Sequence, residues 1–238
     1  MHERRKSMTQ DHFREIYAHR AADYDLLVQR EDTDGNLLPA LRAAGLSDGM
    51  RIVEFGAGTG RVTRLMQPRA KQIVAFDQSH HMVEQAVPTL DASKVVCATA
   101  VNNAIPVRAG WADASVAGWS FGHATGWYPD HWRDEIGSAL AEMRRVTRPG
   151  GTLIILETLG TGSTSPAPPN AALAAYYDWI EVDHGFVRQA IRTDYLFTDS
   201  QESDYLIRFF FGDELADRAA QNGWVRLPEC TGIWSRTN

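Results

Sequence analysis

The chain has 238 residues, enough for one large domain with a buried core. Hydrophobic residues make up 44% and charged residues 23%, with 19 Gly and 10 Pro, a balance that excludes collagenous, low-complexity and disordered classes. Against 30 acidic side chains there are 24 basic ones, a formal charge of −6; this is the wrong sign for neutralising a run of phosphates, so no nucleic-acid partner is expected.

The opening MHERRKSMTQ is basic but polar residues follow it, so no secretory signal is read there, and Met8 is an alternative start to Met1. From Asp11 to Arg30 the positions Phe13, Ile16, Tyr17, Ala21, Tyr24, Leu27 and Val28 recur at three- and four-residue intervals, which predicts one amphipathic helix. A short helix over Asn36 to Ala44 ends at Gly45. Arg51 to Phe55 then reads as a strand that breaks into the glycine-rich run Gly56 to Gly60, followed by a helix through Val62, Leu65 and Met66.

The unit repeats in kind. Gln72 to Phe76 is a strand ending at Asp77, His80 to Val87 a helix, Val95 to Thr99 a third strand and Ala114 to Trp119 a fourth. Asp130 opens a long helix with the stripe Trp132, Ile136, Leu140, Met143 and Val146, stopped by Arg148-Pro149-Gly150-Gly151, and Thr152 to Leu156 is the fifth strand. A Gly/Ser/Thr/Pro loop over 160–169 leads to a helix through Leu173, Tyr176, Trp179 and Ile180, then a period-two strand from Val187 to Phe197. One or two helices over Asp199 to Asn222 and a strand from Trp224 to Trp234 complete the chain. Alternating strands and helices predict an α/β fold, a doubly wound, mainly parallel sheet with helices on both faces. With no internal repeat, residues 1–238 read as a single domain.

Cys97 and Cys230 lack ligand spacing and sit in strand-like runs, so both read as inert thiols of a reduced compartment. The apolar run Leu153 to Leu156 is far short of the ~20 residues that span a bilayer; a cytoplasmic protein without a membrane partner is expected. No metal site is expected either. His80 and His81 are adjacent and point to different sides of a helix, and His123 and His131 have no third ligand. His184 reads as a helix C-terminal cap beside Gly185. Arg188 and Arg192 share a strand face, as a solvated edge or as a grip for an acidic group. Trp132, Trp179, Trp224 and Trp234 fall at stripe or strand positions and read as core.

The chemistry lies in Glu54-Phe55-Gly56-Ala57-Gly58-Thr59-Gly60. Glycines spaced by two let the backbone turn tightly and approach a ligand, and the helix beyond offers free N–H groups. In a nicotinamide fingerprint the third glycine would stand at position 61, which is Arg61. Asp77, at the end of the second strand, can accept both hydroxyl hydrogens of a ribose.

Together VEFGAGTGRVT, VAFDQS, AIP, AGWSFGH and RRVTRPGGTLIIL, in this order over residues 51–156, resemble a class I S-adenosylmethionine-dependent methyltransferase of the small-molecule, type 11-like branch. The resemblance implies a Rossmann-like seven-stranded sheet with its last strand antiparallel. Residues 1–50 would be an N-terminal helical lid, 51–156 the cofactor-binding core and 157–238 the remaining sheet and acceptor-side helices. It implies S-adenosylmethionine as donor, S-adenosylhomocysteine as product and a small-molecule acceptor. Gly56, Ala57, Gly58 and Gly60 would wrap the methionyl part with Glu54 near its amino group. Asp77 would hold the ribose, Gln78 and Met82 would flank the adenine, and Ala100, Val101 and Asn102 would meet its other side. Relatives often carry Asp where Val101 stands; Asn102 either compensates through its side-chain carbonyl or that contact is lost, which predicts weaker cofactor affinity.

The segment Trp119 to Tyr128 would lie beside the methyl group. There His123 and Tyr128 are the catalytic candidates, His123 as base and Tyr128 to orient or deprotonate, although a capping or packing role suits His123 equally. Tyr17 and Tyr24 read either as core or as a lid on the cofactor. Trp119, also counted with the cofactor site, and Trp127 would line the mouth and favour a flat or apolar acceptor. The alternative to an enzyme is a cofactor-binding protein without methyl transfer. The acceptor atom and the oligomeric state leave no mark in the sequence.

Overall fold

The computed structural model describes residues 10–238, so the alternative starts Met1 and Met8 lie outside the described residues. Two helices, α1 (Gln10–His19) and α2 (Ala21–Val28), precede α3 (Leu37–Ala43). The first helix predicted from the stripe is therefore broken. Arg20, with φ −128° and ψ 34°, turns the chain, and its guanidinium binds Asp23 and Tyr205. Next come β1 (Arg51–Phe55), α4 (Arg61–Met66), β2 (Gln72–Asp77), α5 (His80–Ala86) with a 3-10 turn at Val87–Thr89, β3 (Val95–Thr99) and β4 (Ala112–Gly118).

After β4 stands a short helix that the predicted elements do not include, α6 (His123–Trp127), followed by α7 (Trp132–Val146) and β5 (Thr147–Thr161). The strand β5 is longer than predicted, because the chain turns at Gly150 (φ +72°) and pairing resumes on both sides of a register shift. The rest comprises α8 (Ala171–Val182), β6 (Val187–Arg192), β7 (Tyr195–Leu196), α9 (Ser200–Phe211), α10 (Asp213–Gln221), β8 (Arg226–Leu227) and β9 (Glu229–Thr237).

Two predicted strands are thus divided. Asp194 gathers Arg192, Arg226 and the Glu229 N–H, which turns the chain between β6 and β7. Pro228, without an N–H, separates β8 from β9. The pieces β7 and β8 pair with each other in a small second sheet.

The main sheet has the order β3-β2-β1-β4-β5-β9-β6. Neighbours from β3 to β5 are parallel, and β9 is antiparallel to both β5 and β6. Side chains alternate between the faces: Val53, Phe55, Leu153 and Ile155 enter one apolar cluster, Ile52, Ile154 and Leu156 the other. Trp132 and Trp234 are buried and Trp179 packs against the first cluster. A third cluster, unanticipated from sequence, joins Leu27 of α2 to Leu206, Ile207 and Leu227 and receives Trp224. Strand order reverses between β1 and β4. Their carboxyl ends therefore diverge into a crevice, the place where open α/β sheets bind ligands.

Candidate active site

The loop leaving β1 is shaped by backbone geometry. Gly56, Gly58 and Gly60 have φ of +66°, +56° and +87°, the left-handed region that costs other residues about 1–2 kcal/mol. A Cβ on Gly56 would stand 2.5 Å from the Ser120 Cβ, and closer to its Oγ, so position 56 admits no side chain. Asp77, at the tip of β2, accepts the Gly58 N–H on one carboxylate oxygen and the Ser79 N–H on the other, both at 2.8 Å. Burial raises the Asp77 carboxyl above the usual range while these two bonds oppose the rise.

Glu54 is 1% exposed beneath the loop and accepts a 2.6 Å hydrogen bond from the Thr63 hydroxyl. Burial pushes its carboxyl up to about 7. From above, the hydroxyl of Ser79 caps α5 and donates to the Tyr17 carbonyl at 2.6 Å, which ties α1 to the site. The Tyr24 ring lies over Gly58, 3.6 Å from where a Cβ would be, and meets Tyr17 edge-on.

At the end of β4, Trp119 adopts φ +49°, an uncommon conformation for an aromatic residue. The guanidinium of Arg61 covers its ring at 3.5 Å and pairs with the buried Glu31. Beyond it, Glu157 at 4% exposure accepts the Gly122 N–H at 2.8 Å, and burial pushes its carboxyl up to about 8. This bond fixes the entry to α6, where the His123 Nε2 lies 2.9 Å from the Tyr17 hydroxyl. The imidazole stacks on Trp127 with rings 14° from parallel, and burial pushes it down to about 4, so it is neutral near pH 7. Burial also holds the Tyr17 hydroxyl well above its ordinary range.

One cavity brings most of the predicted residues together: Tyr17, Tyr24, Glu54, Gly56, Ala57, Gly58, Asp77, Gln78, Met82, Val101, Asn102, Trp119, His123 and Tyr128 all line it. Two do not. Gly60 faces Leu90 and Ala86 instead and serves as the left-handed residue that opens α4. Ala100 is drawn back by its N–H bond to the Asp77 carbonyl. Asn102 uses its amide nitrogen on the Ser120 hydroxyl at 2.9 Å, and Val101, 48% exposed, stands beside it without a hydrogen-bonding side chain.

Sequence reasoning missed Arg61, noticed only as an absent glycine, and Ser79, Ser120 and Glu157. An acidic residue closing the apolar run LIIL was the available signal for Glu157. Among the described residues, no group of three or more His, Cys, Asp or Glu side chains is placed to hold a metal ion, and no helix is long and apolar enough to cross a membrane.

The cavity fits the donor that the resemblance implies. The bare glycine backbone leaves a cradle that side chains would fill, and the Thr59 hydroxyl is buried in its wall with no partner in the protein. The paired Asp77 carboxylate retains acceptor capacity for a diol.

A family model described as a methyltransferase domain matches residues 53–155. A malonyl-[acyl-carrier protein] O-methyltransferase of Pectobacterium atrosepticum is 27% identical over 151 residues, 63% of this chain and 54% of that protein. The ubiquinone/menaquinone biosynthesis C-methyltransferase UbiE of Syntrophotalea carbinolica is 29% identical over 145 residues, 59% of this chain and 54% of its own. The chain thus spans about half the length of these curated relatives. Among solved structures, a SAM-dependent methyltransferase from Aquifex aeolicus superposes with a TM-score of 0.53 at 15% identity, covering 96% of this chain and 98% of that one. The [4+2]-cyclase SpnF superposes equally well, TM-score 0.53 at 19% identity, covering 85% and 80%. These likenesses carry the fold.

Proposed function

We propose that the chain, whose residues 53–155 match a methyltransferase domain, is a class I S-adenosylmethionine-dependent methyltransferase that moves a methyl group from this donor to a small-molecule acceptor and releases S-adenosylhomocysteine. The observation that carries the reading is the joint enclosure of the glycine loop, Asp77 and the Tyr17–His123 pair in one cavity at the crevice between β1 and β4.

The donor supplies an activated methyl group on a sulfonium. The protein's share is alignment and exclusion of water. Gly56, Ala57 and Gly58 present backbone to the methionyl part with Glu54 below it, and Asp77 takes the ribose diol. Gln78 and Met82 flank the adenine on one side, Val101 and Asn102 on the other. Tyr17 and Tyr24 form the lid. His123 receives a proton where the acceptor must lose one, and Tyr128 orients the acceptor. The setting we propose is the cytoplasm, where Cys97 and Cys230, both free here, stay reduced, and residues 1–238 act as one domain.

The fold alone does not fix the reaction, since a cyclase shares it. The test is calorimetric titration with S-adenosylhomocysteine followed by turnover of methyl-labelled donor against a panel of small molecules. Binding with transfer of label supports the reading. Binding without transfer to any acceptor supports a non-catalytic cofactor-binding protein, and absence of binding removes both.

A further inference from the structure

The acceptor end of the cavity is walled by rings. Tyr17 of α1, His123 and Trp127 of α6 and Tyr128 line it. Behind them Phe13 packs 5.6 Å from the His123 ring and 5.3 Å from Phe210 of α9. Each charged group of the lining is already engaged. Arg61 is paired with Glu31, Asp77 holds two backbone N–H groups and Glu54 holds Thr63. Glu135 has the His131 imidazole one helical turn away at 3.8 Å. What this end offers an acceptor is uncharged, the hydrogen-bonding pair of Tyr17 and His123 together with Tyr128.

Building on the methyl-transfer reading, we propose that the acceptor is an uncharged compound bearing a hydroxyl on a planar aromatic ring, and that the Tyr17–His123 pair receives this hydroxyl. A carboxylate acceptor needs a cation; among the described residues of the lining the one arginine is committed to Glu31, and Arg14, outside that lining, is taken up by the Trp127 ring at 5.2 Å. A protonated amine would be attracted by the rings, but it has no lone pair until a base takes its proton, and the lining carboxylates are engaged elsewhere. A phenol brings its own lone pair, a proton that the Tyr17–His123 pair can take, and a flat face for the ring-lined wall.

In the step, the phenolic oxygen forms a bond to the methyl carbon, the carbon–sulfur bond breaks with its electron pair going to sulfur, and the hydroxyl proton passes to the Tyr17 hydroxyl as that group hands its own proton to His123 Nε2. The products are a methyl ether, the thioether and one proton. Burial holds His123 at about 4, so the imidazole surrenders that proton to water near neutral pH and is ready again.

The test titrates the whole protein, saturated with S-adenosylhomocysteine, with three naphthalenes that differ only in their polar group: 2-naphthol, 2-naphthoate and 2-naphthylmethylamine. The naphthol is expected to bind about tenfold more tightly than either charged analogue, a difference of about 1.4 kcal/mol, and to take labelled methyl from the donor. Tyr17→Phe, titrated at an S-adenosylhomocysteine concentration that saturates the variant, is expected to bring the three affinities together. Equal or tighter binding of a charged analogue, no binding of the naphthol, or an unchanged preference in Tyr17→Phe would overturn the assignment. If S-adenosylhomocysteine itself does not bind the unmodified protein, the methyl-transfer reading fails first; if it binds and the naphthol is not preferred, only the acceptor class fails.

Discussion

Gly56→Ala is the sharpest perturbation of the donor half of the site, because two separate costs can be read from the geometry. The backbone at this position has φ +66°, which costs an alanine about 1–2 kcal/mol. The new methyl would also stand 2.5 Å from the Ser120 Cβ, well inside van der Waals contact, and Ser120 is held by Asn102. Such overpacking costs about 1–3 kcal/mol, for a total of about 2–5 kcal/mol. Gly60→Ala is the internal control: its φ of +87° carries a similar backbone cost, but the nearest atom to its Cβ, on Leu90, is 3.3 Å away and outside the cavity lining. Urea denaturation and titration with S-adenosylhomocysteine measure both. Gly56→Ala should weaken binding by about 100-fold or more, equivalent to ~2.7 kcal/mol, whereas Gly60→Ala should lose stability with a smaller effect on binding. Adding Ser120→Gly to Gly56→Ala should recover the steric part, a coupling of about 1–3 kcal/mol, and leave the φ cost in place. Unchanged binding in Gly56→Ala, or no coupling with Ser120→Gly, would refute the cradle.

The remaining expectations concern other parts of the same cavity. The Glu157 carboxyl, pushed up to about 8 by burial, binds a proton in the folded protein that it loses at about 4.3 when unfolded, so its stabilising share is complete at low pH and fades as pH rises through 8. Between pH 6 and 8 the unmodified protein should therefore lose about 2 kcal/mol more unfolding free energy than Glu157→Gln, a limit set by ~1.4 kcal/mol per pH unit; parallel urea curves in the two proteins would contradict this. Val101→Asp should tighten S-adenosylhomocysteine by about tenfold, ~1.4 kcal/mol, by giving the adenine amino group an acceptor, as calorimetry would register, and an unchanged constant would remove the argument from the missing carboxylate. Trp127→Ala unstacks His123 and should lower kcat/KM for 2-naphthol by about tenfold, ~1.4 kcal/mol of transition-state stabilisation; equal activity across ring and chain acceptors would count against a stacking role.

The donor half was legible because its signals are local. Strands β1 to β3 are short apolar runs ended by Gly, Asp or Thr, and the glycine loop needs its residue types for backbone reasons that hold in any context. The boundaries that failed are set by partners distant in the chain. The stripe of the first helix runs unbroken through Arg20, and nothing local announces that Asp23 and Tyr205 will capture that side chain and let the helix turn. In the same way the apolar alternation through Val187 to Phe197 gives no hint that Asp194 will collect two arginines and a backbone N–H. Trp119 shows the limit of reading residue type alone: an aromatic ring at the mouth was expected to meet the acceptor, but Arg61 covers it.

Charge state was the least legible property and bears most directly on chemistry. A histidine in the segment after β4 reads from sequence as a group titrating near neutrality, the value that suits a general base. Enclosure among Phe13, Tyr17 and Trp127 removes the solvation that an imidazolium needs, and among the described residues no carboxylate is paired with it to replace that solvation. The same loss of water keeps Tyr17 protonated and shifts Glu54 and Glu157 toward their neutral forms. A positively charged donor placed above such groups meets little fixed opposite charge and is held mainly by backbone and rings. The proposed transfer would convert a sulfonium into a neutral thioether inside a poorly solvated cavity, a change that such surroundings favour because they solvate charge weakly. The low basicity of His123 is consistent with that arrangement, since the driving force lies in the donor and the imidazole needs only to carry a proton out.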